Sequence, residues 1–282
     1  MIGAIVGDIV GSRWEFGGCK SKDFQFLDCN CFATDDTFLT LAVGEALLEH
    51  EAAHGGLNVL AAHKLKEWGL AYPNVGYGES FVEWVASESF EPYNSWGNGA
   101  AMRVSFCGWA AKSLKEAEHL SDEVTKVTHN HPEGMAGARV VAGCVYLART
   151  GCSRQDILGY VERTYRKIGF TIDEIRPTYD FDISCQGTVP QALACFFESS
   201  TFEDAIRNAI SLGGDSDTLG AICGGVAGAF YGIPDGIVDA TCFFLDDKCK
   251  ETINRCIDAW NPSQNRLPVS HEHCDLSLDG DL

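Results

Sequence analysis

The chain has 282 residues, enough for one large or two small domains, and its 45% hydrophobic and 11% aromatic content is ample for a packed core. Acidic residues outnumber basic ones 40 to 21, a formal charge of −19, with no clustered basic face, which argues against a general nucleic-acid-binding surface. The apolar start, Met1 to Asp8, is short and lacks a basic flank, no run approaches the ~18 apolar residues of a membrane span, and no leader or anchor is expected.

Thirteen cysteines lie scattered among apolar neighbours, as at Cys144, Cys195, Cys223 and Cys242. That pattern suits buried thiols in a reducing compartment, so a cytoplasmic protein without disulfides or membrane contacts is expected. Cys29-Asn30-Cys31 has no matching pair at zinc-site spacing.

Helix signals recur along the chain and strand signals are scarce. Only Phe24 to Phe32 carries a weak β pattern. Phe38 to Glu49 spaces Leu39, Val43, Ala46 and Leu47 for an amphipathic helix. Ser113-Leu-Lys-Glu116, Ser153-Arg-Gln-Asp156 and Thr201-Phe-Glu-Asp204 look like capping boxes or their Asp variants, each opening a helix. Gly134 to Arg149 reads as a buried helix between them. From Leu219 to Tyr231, Gly220, Gly224 and Gly228, followed by Gly232, recur every four residues and line one stripe. Each glycine costs ~1 kcal/mol relative to alanine in a helix, so the stripe predicts close backbone approach by a neighbour. Lys250 to Trp260 makes a last helix, stopped by Asn261-Pro262. No linker composition interrupts this order. The expected organisation is one domain, 1–267, followed by an acidic, loosely docked tail, 268–282.

Two acidic segments echo each other. Thr34-Asp35-Asp36-Thr37 and Asp215-Ser216-Asp217-Thr218 both directly precede apolar helical runs. Capping a helix uses one such side chain, and the dipole favours its charge. Two crowded carboxylates with flanking hydroxyls at both places exceed that need, because like charges oppose each other's ionisation unless a cation neutralises them. The ligands on offer are oxygens alone, which suits Mg²⁺, Mn²⁺ or Ca²⁺ rather than Zn²⁺. Asp215-Ser-Asp-Thr218 also matches the nucleophile motif of haloacid-dehalogenase-type phosphatases. It lacks the preceding buried strand that motif requires.

With these motifs stand Gly7-Asp8-Ile-Val-Gly11-Ser-Arg-Trp-Glu15 and Gly97-Asn98-Gly99-Ala-Ala-Met102-Arg103. Four motifs in this order resemble the ADP-ribosylglycohydrolase family from the N-terminus to about residue 235. The resemblance implies an all-α fold, a compact bundle of about a dozen helices with a binuclear metal cleft. It further implies that Thr34, Asp35, Asp36, Asp215, Asp217 and Thr218 hold two Mg²⁺ ions, with Mn²⁺ as a substitute. Glu15 and Asp36 are the expected catalytic groups, Glu15 orienting water or protonating the leaving group. Asp8 is expected to support the metals from behind.

The same resemblance places Gly11, Ser12, Ser95, Trp96, Gly97, Asn98, Gly99, Met102 and His129 against ADP-ribose, with Phe90 and Trp96 as adenine-stacking rings. His131, next to His129, is open between substrate contact and helix capping. The implied reaction is Mg²⁺-dependent cleavage of the N- or O-glycosidic bond at C1″ of the distal ribose, freeing ADP-ribose from a modified protein or other acceptor. Two alternatives belong to other classes: a non-catalytic ADP-ribose-binding or crystallin-like structural protein, and a metal-dependent phosphohydrolase. The first is expected to have lost a metal aspartate or Glu15, and the chain keeps them all. The acceptor linkage is set by the variable outer rim and is not fixed by these motifs.

Overall fold

The computed structural model describes residues 1–53 and 55–269. Among them the architecture is all helical. In chain order come α1 (Gly3–Gly11), α2 (Asp35–Ala53), α3 (Leu57–Ala71), α4 (Glu79–Ala86), α5 (Gly99–Met102), α6 (Ser105–Ala110), α7 (Leu114–Thr125) and α8 (Pro132–Arg149). They are followed by α9 (Arg154–Thr164), α10 (Ile172–Ile175), α11 (Cys185–Phe197), α12 (Phe202–Ser211), α13 (Ser216–Tyr231), α14 (Asp235–Thr241) and α15 (Asp247–Trp260). Several single-turn pieces, such as α5 and α10, lift the number above the expected dozen. A lone bridge between Gly97 and Ser184 is the β pairing among the described residues.

Two helices that are apolar on every side form the centre, as such helices must. α1 is buried throughout, and α13 is buried from Ser216 to Gly228. They run antiparallel with their backbones in contact. A methyl group at Gly7 would strike the carbonyl of Gly220, and one at Gly224 that of Gly3; Gly11 lies on the backbone of Ser216 and Asp217. The expected close approach is therefore real, and the partner is a second glycine stripe at positions 3, 7 and 11. Gly232 is outside it: it ends α13 in the left-handed region, φ 75°, with nothing near its missing side chain. α8, α11 and α12 pack around the remaining faces of α13, while α2 borders α1 and carries α3 and α15.

The end signals divide. Ser153 and Asp156 form a reciprocal capping box on α9, and Thr171 and Glu174 form another on α10. Ser113 and Thr201 cap α7 and α12, but their acids turn elsewhere: Glu116 accepts the Lys112 N–H at 2.6 Å and Asp204 the Ser200 N–H at 2.8 Å. His131 caps α8, accepting the Glu133 N–H at 3.2 Å. Residues 24–32 are not a strand. They form a loop fixed by Arg207, which donates to the carbonyls of Lys22 at 2.9 Å and Phe24 at 2.7 Å and lies 4.9 Å from the Phe24 ring centre.

No helix among the described residues is long and apolar enough to cross a membrane. The described cysteines are free thiols, most of them buried. The expected acidic tail, 268–282, falls almost wholly outside the described residues. Just before it, the backbone of Leu267 is clasped by the Asn254 side chain through bonds of 2.6 and 2.9 Å.

Candidate active site

The glycine contact sets the C-terminal end of α1 beside the start of α13, and the start of α2 closes the third side. Asp8, fully buried on α1, binds this junction together. Its carboxylate accepts the Thr34 N–H at 3.1 Å, the Thr34 hydroxyl at 2.6 Å, the Thr37 N–H at 3.1 Å and the Thr37 hydroxyl. An acid on one helix thus satisfies the first turn of another, whose dipole favours the charge. Burial nonetheless pushes the Asp8 carboxyl up to about 6. Asp8 thus fixes the start of α2, which carries Asp35 and Asp36, against α1.

Thr34, at the start of α2, also accepts the Asp36 N–H at 3.3 Å, so its hydroxyl serves the helix end as well as facing the cluster. Asp36 is buried. One of its oxygens accepts the Thr218 hydroxyl at 3.3 Å, which ties the two acidic motifs together, and the other, Oδ1, is buried with no partner. Glu15, Asp215 and Asp217 each bring an oxygen within 4.8 Å of the others. Asp215 accepts the Asn98 amide at 2.6 Å. Asp35 sits half-buried beside Gly76, φ 113°, where a side chain would come within 2.9 Å of its Oδ1.

Burial, with the neighbouring acids second, holds Asp35, Asp36 and Asp217 well above the ordinary carboxylate range. Burial, Asp215 and Asp8 together push Glu15 up to about 7. Ionised carboxylates crowded in this way need a cation to neutralise them. An orphaned buried oxygen in an all-oxygen donor set is the chemistry of a hard divalent ion, and the cluster is a possible metal-binding group.

The residues expected at the substrate separate into groups. Gly97 and Gly99 face His129, whose Nε2 would lie 3.6 and 3.4 Å from side chains placed at those glycines. Thr128 holds the other ring nitrogen at 2.8 Å, and Arg103 donates to Thr128 at 2.6 Å. Burial and then the Arg103 charge hold His129 well below its usual value, so the ring is neutral. Asn98 spans the gap to the acids, donating to Thr188 at 3.1 Å besides Asp215. Met102 is buried with its sulfur 4.0 Å from the Thr218 hydroxyl. Ser95 accepts the Gly97 N–H at 3.1 Å and so shapes the turn, while the Trp96 ring is half exposed beside it.

Three positions have contacts within the protein. Gly11 is packed beneath α13, and the Ser12 hydroxyl donates to Ile9 at 2.9 Å and accepts from Phe32 at 3.0 Å. Phe90, in the loop after α4, packs against α3, its ring 4.6 Å from His63 and 5.0 Å from the Lys66 ammonium, and remains half exposed. Thr37 closes the first acidic motif without an assigned role, and its hydroxyl shares Asp8; no motif gave notice of the loop before α11 that bonds Asn98 through the carbonyls of Asp182 and Ile183.

The sequence pattern of the ADP-ribosylglycohydrolase family matches residues 1–265. The chain belongs to this family. As an ADP-ribosylglycohydrolase it is a hydrolase of that type. It is 28% identical to the human ADP-ribosylhydrolase ARH3 over 309 residues, covering 83% of this chain and 84% of that relative. It is 30% identical to the ADP-ribosyl-[dinitrogen reductase] glycohydrolase of Rhodospirillum rubrum over 290 residues, covering 92% of each. A solved structure titled an ADP-ribosylglycohydrolase-related protein complex superposes with a TM-score of 0.69 at 22% identity, over 93% of this chain and 96% of that one, which establishes the shared all-α fold.

Proposed function

We propose that the chain is a Mg²⁺-dependent hydrolase that removes ADP-ribose from a modified protein or other acceptor by cutting the N- or O-glycosidic bond at C1″ of the distal ribose. The observation that carries this reading is the junction of Glu15, Asp36, Asp215 and Asp217 in a family member, with Asp36 Oδ1 buried and unpartnered. The relatives support the acceptor class, since one is named for its action on ADP-ribosyl-[dinitrogen reductase].

Thr34, Asp35, Asp36, Asp215, Asp217 and Thr218 would hold two Mg²⁺ ions, with Mn²⁺ as a substitute. When bound, the ions supply neutralising charge and a polarised water near the ribose. The remaining work belongs to the chain. Glu15, set beside Asp215 and Asp217, would orient the attacking water or protonate the departing acceptor atom. The neutral His129 offers a hydrogen bond without repelling a cation, and the Gly97–Gly99 turn lets the ligand approach the backbone closely. Asn98 fixes Asp215 in register with that turn. Residues 1–267 would act as one domain, and the free thiols fit a cytoplasmic setting.

The decisive measurement is release of ADP-ribose from arginine-, serine-, cysteine- and nucleic-acid-linked substrates and from poly(ADP-ribose), with and without Mg²⁺. Asp35→Ala and Asp217→Ala are expected to abolish Mg²⁺-dependent release while the helical circular dichroism persists. Unchanged turnover in either variant would sink the metal assignment. Release of phosphate or AMP instead would mark a phosphohydrolase.

A further inference from the structure

We propose that Phe16 and Phe181 form the seat for a polypeptide acceptor, the part of the substrate that remains when ADP-ribose leaves. The inference rests on the function proposed above and adds to it the residues that read the acceptor. The two rings stack with centres 6.2 Å apart and planes 21° from parallel, yet they are 87% and 45% exposed. Large apolar groups left in water as a patch mark contact surfaces. Phe16 belongs to the turn after Glu15 and Phe181 to the loop before α11, so two segments far apart in the chain bring these exposed rings together.

Connectivity ties the rings to the reacting bond. Phe16 directly follows Glu15, whose carboxylate lies within 4.8 Å of Asp215 and Asp217. Phe181 precedes Asp182 and Ile183, whose carbonyls accept the Asn98 amide at 3.4 Å and the Asn98 N–H at 2.8 Å. The same Asn98 side chain reaches Asp215 at 2.6 Å. Through these neighbours the rings border the acids at which the bond would be cut, within reach of the acceptor that stays behind when ADP-ribose leaves. Asp180 and Asp182 flank Phe181, and Lys20, the cation beside this loop, is held by the carbonyls of Tyr179 and Leu212, so on a molecule of charge −19 the surroundings repel a polyanionic acceptor and favour a polypeptide segment.

The test uses Phe16→Ala and Phe181→Ala in the full chain, with Mg²⁺. Turnover is compared on an ADP-ribosylated peptide and on the free ADP-ribosylated amino acid of the same linkage, and ADP-ribose affinity is measured by calorimetry. The expected result is that each variant lowers the ratio of kcat/KM for peptide over free amino acid about tenfold, a loss typical of one aromatic anchor. An equal fall on both substrates, or weaker ADP-ribose binding without a change in that ratio, would overturn the proposal by placing the rings on the ADP-ribose side. An unchanged ratio with unchanged affinity overturns it too. If the wild type releases ADP-ribose from no linkage, the functional reading fails first and this inference with it.

Discussion

Glu45 meets the same physical problem as Asp8, a carboxylate buried in a helical core, and solves it with cations. Its oxygens accept the Trp68 indole N–H at 3.0 Å and the Thr252 hydroxyl at 3.1 Å, with Lys64 at 3.5 Å and Arg255 at 3.4 Å. Burial raises its pKa, but these partners together outweigh it and hold the carboxyl below its ordinary 4.5. Glu45→Ala leaves buried donors unmet and should cost about 3 kcal/mol in urea unfolding at pH 7. The sign of the pH dependence follows from the direction of the shift. The folded protein binds the proton less readily than the unfolded chain, so the contribution is complete above 4.5 and fades as pH falls below it. The gap between wild type and Glu45→Ala should therefore narrow under acid. A gap that is constant from pH 7 to pH 3 would contradict this account. Asp8 could be suspected from sequence because it sits in a glycine-flanked motif beside Glu15. Its four bonds could not, because they join residues on different helices and no local spacing encodes them. Phe16 carried no mark except its place after Glu15, since exposure is a property of the folded surface.

At the scale of elements, the α1–α13 contact explains why glycine is kept where it weakens a helix. Gly7→Ala and Gly220→Ala each drive a methyl into a facing backbone carbonyl, so the helices must part. Each should lose at least about 2–3 kcal/mol in chemical denaturation, the upper range for overpacking. Gly232→Ala suffers only its left-handed backbone and should lose about 1 kcal/mol. Similar losses at all three sites would show that the helix pair has slack. The stripe on α13 was legible because four glycines at helical spacing are costly without a reason. Its partner on α1 was equally present in Gly3, Gly7 and Gly11, but an apolar start too short for a leader carries no helix-start signal. Capping residues marked where α7, α9 and α12 begin more faithfully than they marked full boxes, because the acid three residues on had competing partners. The loop at 24–32 misled for the opposite reason: Phe24 and Phe26 alternate to flank Arg207 at the edge of the core, with no partner strand beside them.

For the whole molecule, crowded acids on a chain of charge −19 make divalent ions a matter of stability as well as chemistry. An ion that binds only the folded state at 100 times its dissociation constant adds about 2.7 kcal/mol. For a chain of this length, Mg²⁺ should therefore raise Tm by about 5–10 °C in thermal unfolding followed by circular dichroism. NaCl at matched ionic strength should do much less, because screening acts on the surface and not on a buried cluster. Asp217→Asn should blunt the Mg²⁺ response while raising the metal-free Tm, since it removes one of the mutually repelling charges. A metal response that survives in Asp217→Asn would mean that the ion binds elsewhere. The fold class was readable from the sequence at this scale, whereas the Phe16–Phe181 pair is assembled from separate loops and emerges only in three dimensions.

The pairing of α1 with α13 also has a consequence in time. During synthesis α1 emerges first, with its glycine face and the acid at Asp8 already made, yet every helix from α2 to α12 must follow before its partner exists. An apolar helix waiting that long needs shelter, from a chaperone or from provisional contacts with α2. The acidic cluster cannot take shape piecemeal, because one of its walls is built some two hundred residues after the other.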